Sequence, residues 1–148
     1  MIESAHARLA GLMAAEGLPF APAARIPNTR LAQELAAWGI AAGRGEIGDA
    51  LYRAHFAEGK DIGDPATLVA LAVAVGLDAA LAGEVLRTRS HRAQIDQEWQ
   101  RARSLGVTGV PTFAIGRRGV VGAQPYDVLE SFVLAAGARP RIAGTPAV

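Results

Sequence analysis

Gly106-Val107-Thr108-Gly109-Val110-Pro111-Thr112-Phe113-Ala114-Ile115 is the stretch on which the fold of this chain turns. A helix-length pattern ends at Gly106, and β-branched and aromatic residues follow it. Next come a Gly-Arg-Arg-Gly turn (116–119), a second apolar run Val120-Val121-Gly122-Ala123, and a helix signal from Pro125. The pattern predicts a β-hairpin followed by a helix. Pro111 has no N–H to give a ladder, so it belongs at the start or edge of a strand. An X-Pro bond reaches the cis form at a cost of about 0.5–1 kcal/mol. A cis Val110-Pro111 bond at a strand start would turn the backbone of the preceding residue outward, ready to pair with an extended ligand. The plainer reading is that Pro111 merely opens a strand.

Upstream, the chain reads as helices. Residues 2–16 place Ile2, Leu9, Leu12 and Met13 near one face, with Gly17 as a stop. Pro19, Pro22 and Pro27 favour an extended connection over 18–27. Asn28 is placed to cap a helix running to about Gly43, with Leu31, Leu35 and Trp38 on one face. A third helix runs to Glu58, with Ile47, Leu51 and Ala54 on one face and Tyr52 and Phe56 beside them. After a loop over 59–63, Asp64-Pro65 supplies an acidic N-cap and a proline at the first helical position. That helix runs to Val75 and stops at Gly76. It is apolar nearly all round, which predicts the most buried helix of the chain. Asp78 caps a helix over 79–88, and Ser90 is placed to cap another, to about Leu105, with Ile95, Trp99 and Ala102 on one face. The last helix, 125–136, uses Val128, Leu129, Phe132 and Val133 and ends at Gly137. Residues 138–148 read as a loose tail. No internal repeat is visible.

Composition narrows the function. At 148 residues the chain is most simply one domain, and 51% hydrophobic residues are ample for a core. Much of that fraction is alanine, which predicts close helix–helix packing. A net charge of +1 gives no argument for nucleic acid or a membrane surface. There is no cysteine, so this chain has no disulfide, no thiolate catalysis and no zinc–thiolate site of its own. No basic-then-apolar leader pattern opens the sequence and no run reaches 18 apolar residues, so a cytoplasmic location is expected.

Three separated motifs, in order, resemble the DsbA-like branch of the thioredoxin superfamily. Gly109-Val110-Pro111-Thr112-Phe113, continued by Val121-Gly122-Ala123-Gln124-Pro125-Tyr126, is similar to that branch's cis-proline loop and terminal hairpin. Pro27-Asn28-Thr29 is the second motif, and Phe56 to Pro65 resembles the linker inside its helical insertion. The likeness reaches to about residue 137 and is closest to FrnE-type members. Related branches are the kappa-class glutathione transferases and the 2-hydroxychromene-2-carboxylate isomerases. It implies an α/β, mostly helical fold: a helical insertion over 28–105, a thioredoxin-type hairpin and final helix over 106–137, then the tail. It implies thiol–disulfide exchange as the family activity, with glutathione as a cofactor in the related branches only. The family's opening strand, redox helix with Cys-x-x-Cys, and second strand have no counterpart here, so the expected fold is a truncated one. The resemblance further implies that those strands pair beside the hairpin. The hairpin edge is therefore expected to be filled, by a second copy of the chain in a homodimer or by a strand-donating partner.

The candidate site residues follow from the same resemblance. Thr108, Gly109, Val110, Pro111 and Thr112 form the expected substrate-binding loop, where the residue before the proline binds peptide or glutathione backbone. Gln124 is a weaker candidate beside its plainer role of satisfying backbone groups at a helix start. Asn28 is weaker too, a cap being the simpler reading. No catalytic residue is assigned. His6, His55 and His91 form no His-x-x-x-His pair and acidic residues show no ligand spacing, so no metal site is expected. His55, beside Tyr52 and Phe56, reads as a packed residue rather than a base. Ser4, Ser90, Ser104 and Ser131 lie in no Gly-x-Ser-x-Gly motif. Arg87, Arg89, Arg92, Arg101 and Arg103, interspersed with Asp96 and Glu98, read as a solvated face. Arg117 and Arg118 read as a polar hairpin tip.

Overall fold

A computed structural model describes residues 2–21 and 26–139, which divide into two units, Met1–Gln97 and Glu98–Val148. Pro22 and the tail from residue 140 lie outside the described residues, as does the side chain of Ile2. The first unit holds α1 (Ile2–Ala15), α2 (Arg30–Ala41) and α3 (Ile47–Tyr52), which runs straight into one π-helical turn, Arg53–Ala57. It continues through α4 (Pro65–Ala74), α5 (Ala79–Thr88) and the start of α6 (Arg92–Ser104). The second unit holds the rest of α6, then β1 (Thr112–Ile115), β2 (Arg118–Val121) and α7 (Tyr126–Ala135). No described helix is long and apolar enough to cross a membrane.

The core of the first unit is built from Leu35, Ile47, Leu51, Ile62, Leu68, Leu77 and Leu86, with Ala32, Ala54, Ala72 and Ala82 between them. The buried alanines let backbones approach, and Gly39 takes this furthest. A Cβ there would lie 2.8 Å from Ile47 Cγ2 and 3.3 Å from Leu77 Cδ1. The glycine stops behave as their positions suggest. At Gly17, Gly43, Gly76, Gly106 and Gly137 the backbone turns left-handed, and the next N–H reaches back to a carbonyl of the last helical turn. That paired bonding closes the orphan carbonyls of a helix end.

Four expectations are corrected. The apolar helix α4 is not the most buried: only Leu68 and Ala72 are fully covered and Val73 is 50% exposed, whereas α2 buries four residues. Apolar composition all round reports side-chain type, while burial depends on which faces neighbours cover. Asn28 is not the cap residue of α2. Thr29 holds that position without a side-chain cap bond, and Asn28 Oδ1 accepts the Arg30 N–H (3.1 Å) from one residue further out. The Ser90 hydroxyl meets His91 Nδ1 at 3.2 Å, and α6 begins only at Arg92. The third helix is not α-helical to its end, because the turn over Arg53–Ala57 bonds with π spacing, Glu58 N–H to Arg53 O at 3.1 Å. Asp64 and Asp78 do cap as expected, accepting N–H bonds from Thr67 and Leu81, each at 2.8 Å.

In the second unit β1 and β2 pair antiparallel, Thr112 with Val121 through Ile115 with Arg118. The strand starts earlier than the apolar run suggested, so Arg118 lies within β2 and only Arg117 joins Gly116 in the two-residue loop. Gly116, at φ +61°, supplies the left-handed first loop position that a tight hairpin turn demands. This is a two-stranded sheet, and no residue of α7 is fully buried.

Candidate functional site

The loop between α6 and β1 is set at both ends. At its start, the Gly106 N–H bonds Arg103 O and the Val107 N–H bonds Ala102 O, each at 3.0 Å. At its end, the Gly122 N–H donates to Pro111 O at 2.8 Å, extending the hairpin ladder by one bond. Thr112 Oγ1 donates back to Gly109 O at 2.6 Å and closes the loop on itself. Gly109 sits close against the hairpin, where an added Cβ would come 3.3 Å from Val121 Cγ1.

The Val110–Pro111 peptide bond is cis. Val110 is 89% exposed and makes no hydrogen bond among the described residues. A valine so exposed, in a loop fastened on both sides, presents an unpaired peptide group and an apolar side chain together. Thr108 is exposed, and Thr112 is half-buried with its hydroxyl spent on Gly109. Gln124 lies at the same end of the hairpin, its Nε2 donating to Val121 O at 2.8 Å. It thus satisfies a strand end rather than the start of α7. Asn28 belongs to the other unit, with its backbone against Gly63: a Cβ there would come 3.1 Å from Asn28 O. Thr108 to Thr112 and Gln124 are therefore brought together at one end of the hairpin. The loop carries hydrogen-bonding backbone and the hydroxyls of Thr108 and Thr112, with no charged side chain among its residues.

Two features of the first unit escaped the sequence. Glu34 is wholly buried on α2, and Arg89 holds it with two bonds of 2.7 Å, one to each carboxylate oxygen. Arg30 adds a third at 3.2 Å and bridges to Asp96, which Arg92 Nε approaches at 3.6 Å. The Arg89 bonds, aided by Arg30 and opposed by burial, hold the Glu34 carboxyl below its ordinary range. Arg89 is accordingly not part of a solvated face. It also ends α5 in a left-handed conformation, φ 57°, rare for a side chain of this size. The second feature is a pocket of about 360 Å³ lined by residues of α2, α3 and the π turn. Among the described residues no group of three or more His, Asp or Glu is placed to hold a metal.

A family model described as DSBA-like thioredoxin domain matches residues 2–133, and the chain belongs to that family. The crystal structure of a probable DsbA oxidoreductase from Streptomyces coelicolor superposes with a TM-score of 0.79 at 34% identity, covering 94% of this chain and 62% of that one. An uncharacterized protein of Bacillus subtilis strain 168, YwbO, is 36% identical over 89 residues, 60% of this chain and 44% of its own length. The chain thus spans less than two thirds of either relative.

Proposed function

We propose that Thr108 to Thr112 hold the backbone of a thiol or disulfide substrate during thiol–disulfide exchange, with the reacting cysteines on a segment that precedes residue 1 in a longer polypeptide. In that chemistry a thiolate attacks one sulfur of a disulfide. A new S–S bond forms as the old one breaks, and the departing thiolate takes up a proton. This cysteine-free chain supplies no thiol or disulfide sulfur, so it is not active in thiol–disulfide exchange alone and its share is positioning. The observation that carries the reading is Val110, 89% exposed and without a hydrogen-bond partner among the described residues. Membership of the family and likeness to a probable DsbA oxidoreductase support the chemistry. An FrnE-type grouping and a cytoplasmic setting belong to the same proposal.

The test is amide-shift mapping of the chain titrated with an unstructured peptide containing a disulfide. Shifts centred on 108–112 and 122–124 are expected, and an unperturbed loop at millimolar peptide contradicts the reading. Glutathione disulfide in the same titration addresses the remaining alternative, a glutathione-dependent isomerase or transferase role. A second reading, a non-catalytic binding or assembly module that forms a homodimer, is favoured by one observation. The hairpin is only two strands, and Phe113, Ile115 and Val121 remain substantially exposed on it.

A further inference from the structure

Helix α6 (Arg92–Ser104) begins in the helical unit and ends in the hairpin unit. It is mostly polar, and Ile95 is its one buried residue. The packed core of the helical unit, from Ala32 to Leu86, takes no residue from it. A helix of 13 residues is marginal in water by itself, and one buried side chain is a small anchor. Charged groups add to that anchor at the start of the helix. Arg30, on α2, reaches with one guanidinium nitrogen to both the Arg92 carbonyl (3.3 Å) and the Asp96 carboxylate. Arg92 Nε approaches the same carboxylate at 3.6 Å.

The network that these groups join is graded from inside to outside. Its inner end is the wholly buried Glu34 carboxylate, held by Arg89 and by Arg30 Nε. Its outer end is Asp96, with 46% of its side chain exposed, and Arg92, with 66% exposed. Arg30, 18% exposed, stands between them and bonds both acids. Dissolved ions screen exposed pairs and act much less on buried ones. Salt therefore loosens the Asp96 end first and leaves Glu34 with Arg89 in place.

We propose that Arg30 and Asp96 form a salt-sensitive clasp, whose opening detaches the first half of α6 from the helical unit while the core of that unit stays folded. The consequence reaches the loop at Val110, because the start of that loop is bonded to the last turn of α6, Gly106 N–H to Arg103 O and Val107 N–H to Ala102 O. The clasp governs the helix that carries the loop, and it does not depend on what the loop binds.

The test is amide exchange of the full chain at about 20 mM and about 0.5 M sodium chloride, between which the screening length falls from roughly 20 Å to roughly 4 Å. Protection at Ile95, Asp96 and Gln97 is compared with that at Leu35 and Ala36 on α2, each referred to an unstructured peptide at the same salt. Salt should lower protection on α6 about fivefold, what the loss of one exposed ion pair supplies, and leave α2 unchanged. Asp96→Asn keeps the size of the side chain and removes its charge. It should show the lower protection already at 20 mM salt, with no further response to salt. Protection at 95–97 that ignores salt in the wild type, a loss shared equally by α2 in either protein, or a salt response that survives in Asp96→Asn would each overturn the proposal.

Discussion

Glu34 and Arg89 stand 55 positions apart, and each looked ordinary. An acidic residue four places after Arg30 on a helix reads as a surface pair, and an arginine among arginines reads as solvated. Their pairing exists only because α2 and the end of α5 meet, which no local pattern announces. Removing one partner of a buried ion pair leaves the other uncompensated, at a cost of several kcal/mol when both are fully buried. Arg89 keeps some solvent access, its side chain 37% exposed, so Glu34→Gln should cost the lower figure of about 2 kcal/mol by urea unfolding near neutral pH. The pH dependence follows from the sign of the shift. Because the folded carboxyl titrates below its ordinary value of 4.5, its stabilisation is fully present above that value. It is lost as pH falls through the lowered one. The gap between wild type and Glu34→Gln should therefore narrow below about pH 4.5, and a constant gap down to acid unfolding would contradict this. Gly39 makes a second residue-scale prediction. Alanine would gain about 1 kcal/mol of helix propensity, but its Cβ would meet the buried Ile47 at 2.8 Å, and overpacking costs about 1–3 kcal/mol. Gly39→Ala should lower the melting temperature, and a rise would mean that the helices can part freely.

Element boundaries were legible wherever the signal is local. Asp64, Asp78 and the glycine stops act within one turn of their own residues, so sequence places them. Asp78→Ala should cost about 1 kcal/mol and speed amide exchange in the first turn of α5; unchanged exchange there would show that Leu81 N–H needs no partner. The hairpin was legible for the same reason, since Gly116 sits where the turn requires a left-handed residue. Three elements were not. The π turn after Tyr52 has no composition of its own that would announce it. The exposed face of α4 could not be read, because apolar periodicity is silent when every position is apolar. Asn28 and Ser90 have the right chemistry for caps, and each sits one residue outside the position that directly precedes its helix. Of the candidate site, the loop was visible through Val110-Pro111, whereas the pocket beside His55 depends on helices brought together by the fold.

At the scale of the molecule, the hairpin unit exposes much of its apolar surface: Phe113, Ile115 and Val121 on the strands, Val133 and Leu134 on α7. Two strands alone are marginal in water, and an apolar strand edge recruits partners. The 148-residue chain should therefore self-associate, giving by light scattering about twice its 15.3 kDa. Val121→Lys, which puts a charge on β2, should shift it toward monomer. A monodisperse monomer at high concentration, with freely exchanging hairpin amides, would remove the case for a homodimer. Whether the cell completes this unit with a cysteine-bearing segment is the central question, and the intact mass of the protein captured from its own cells through a C-terminal tag answers it. The account predicts a species clearly heavier than 15.3 kDa plus the tag, whose added segment carries Cys-x-x-Cys and exchanges disulfides. A mass equal to Met1 to Val148 plus the tag would contradict it and leave a binding module without redox chemistry of its own.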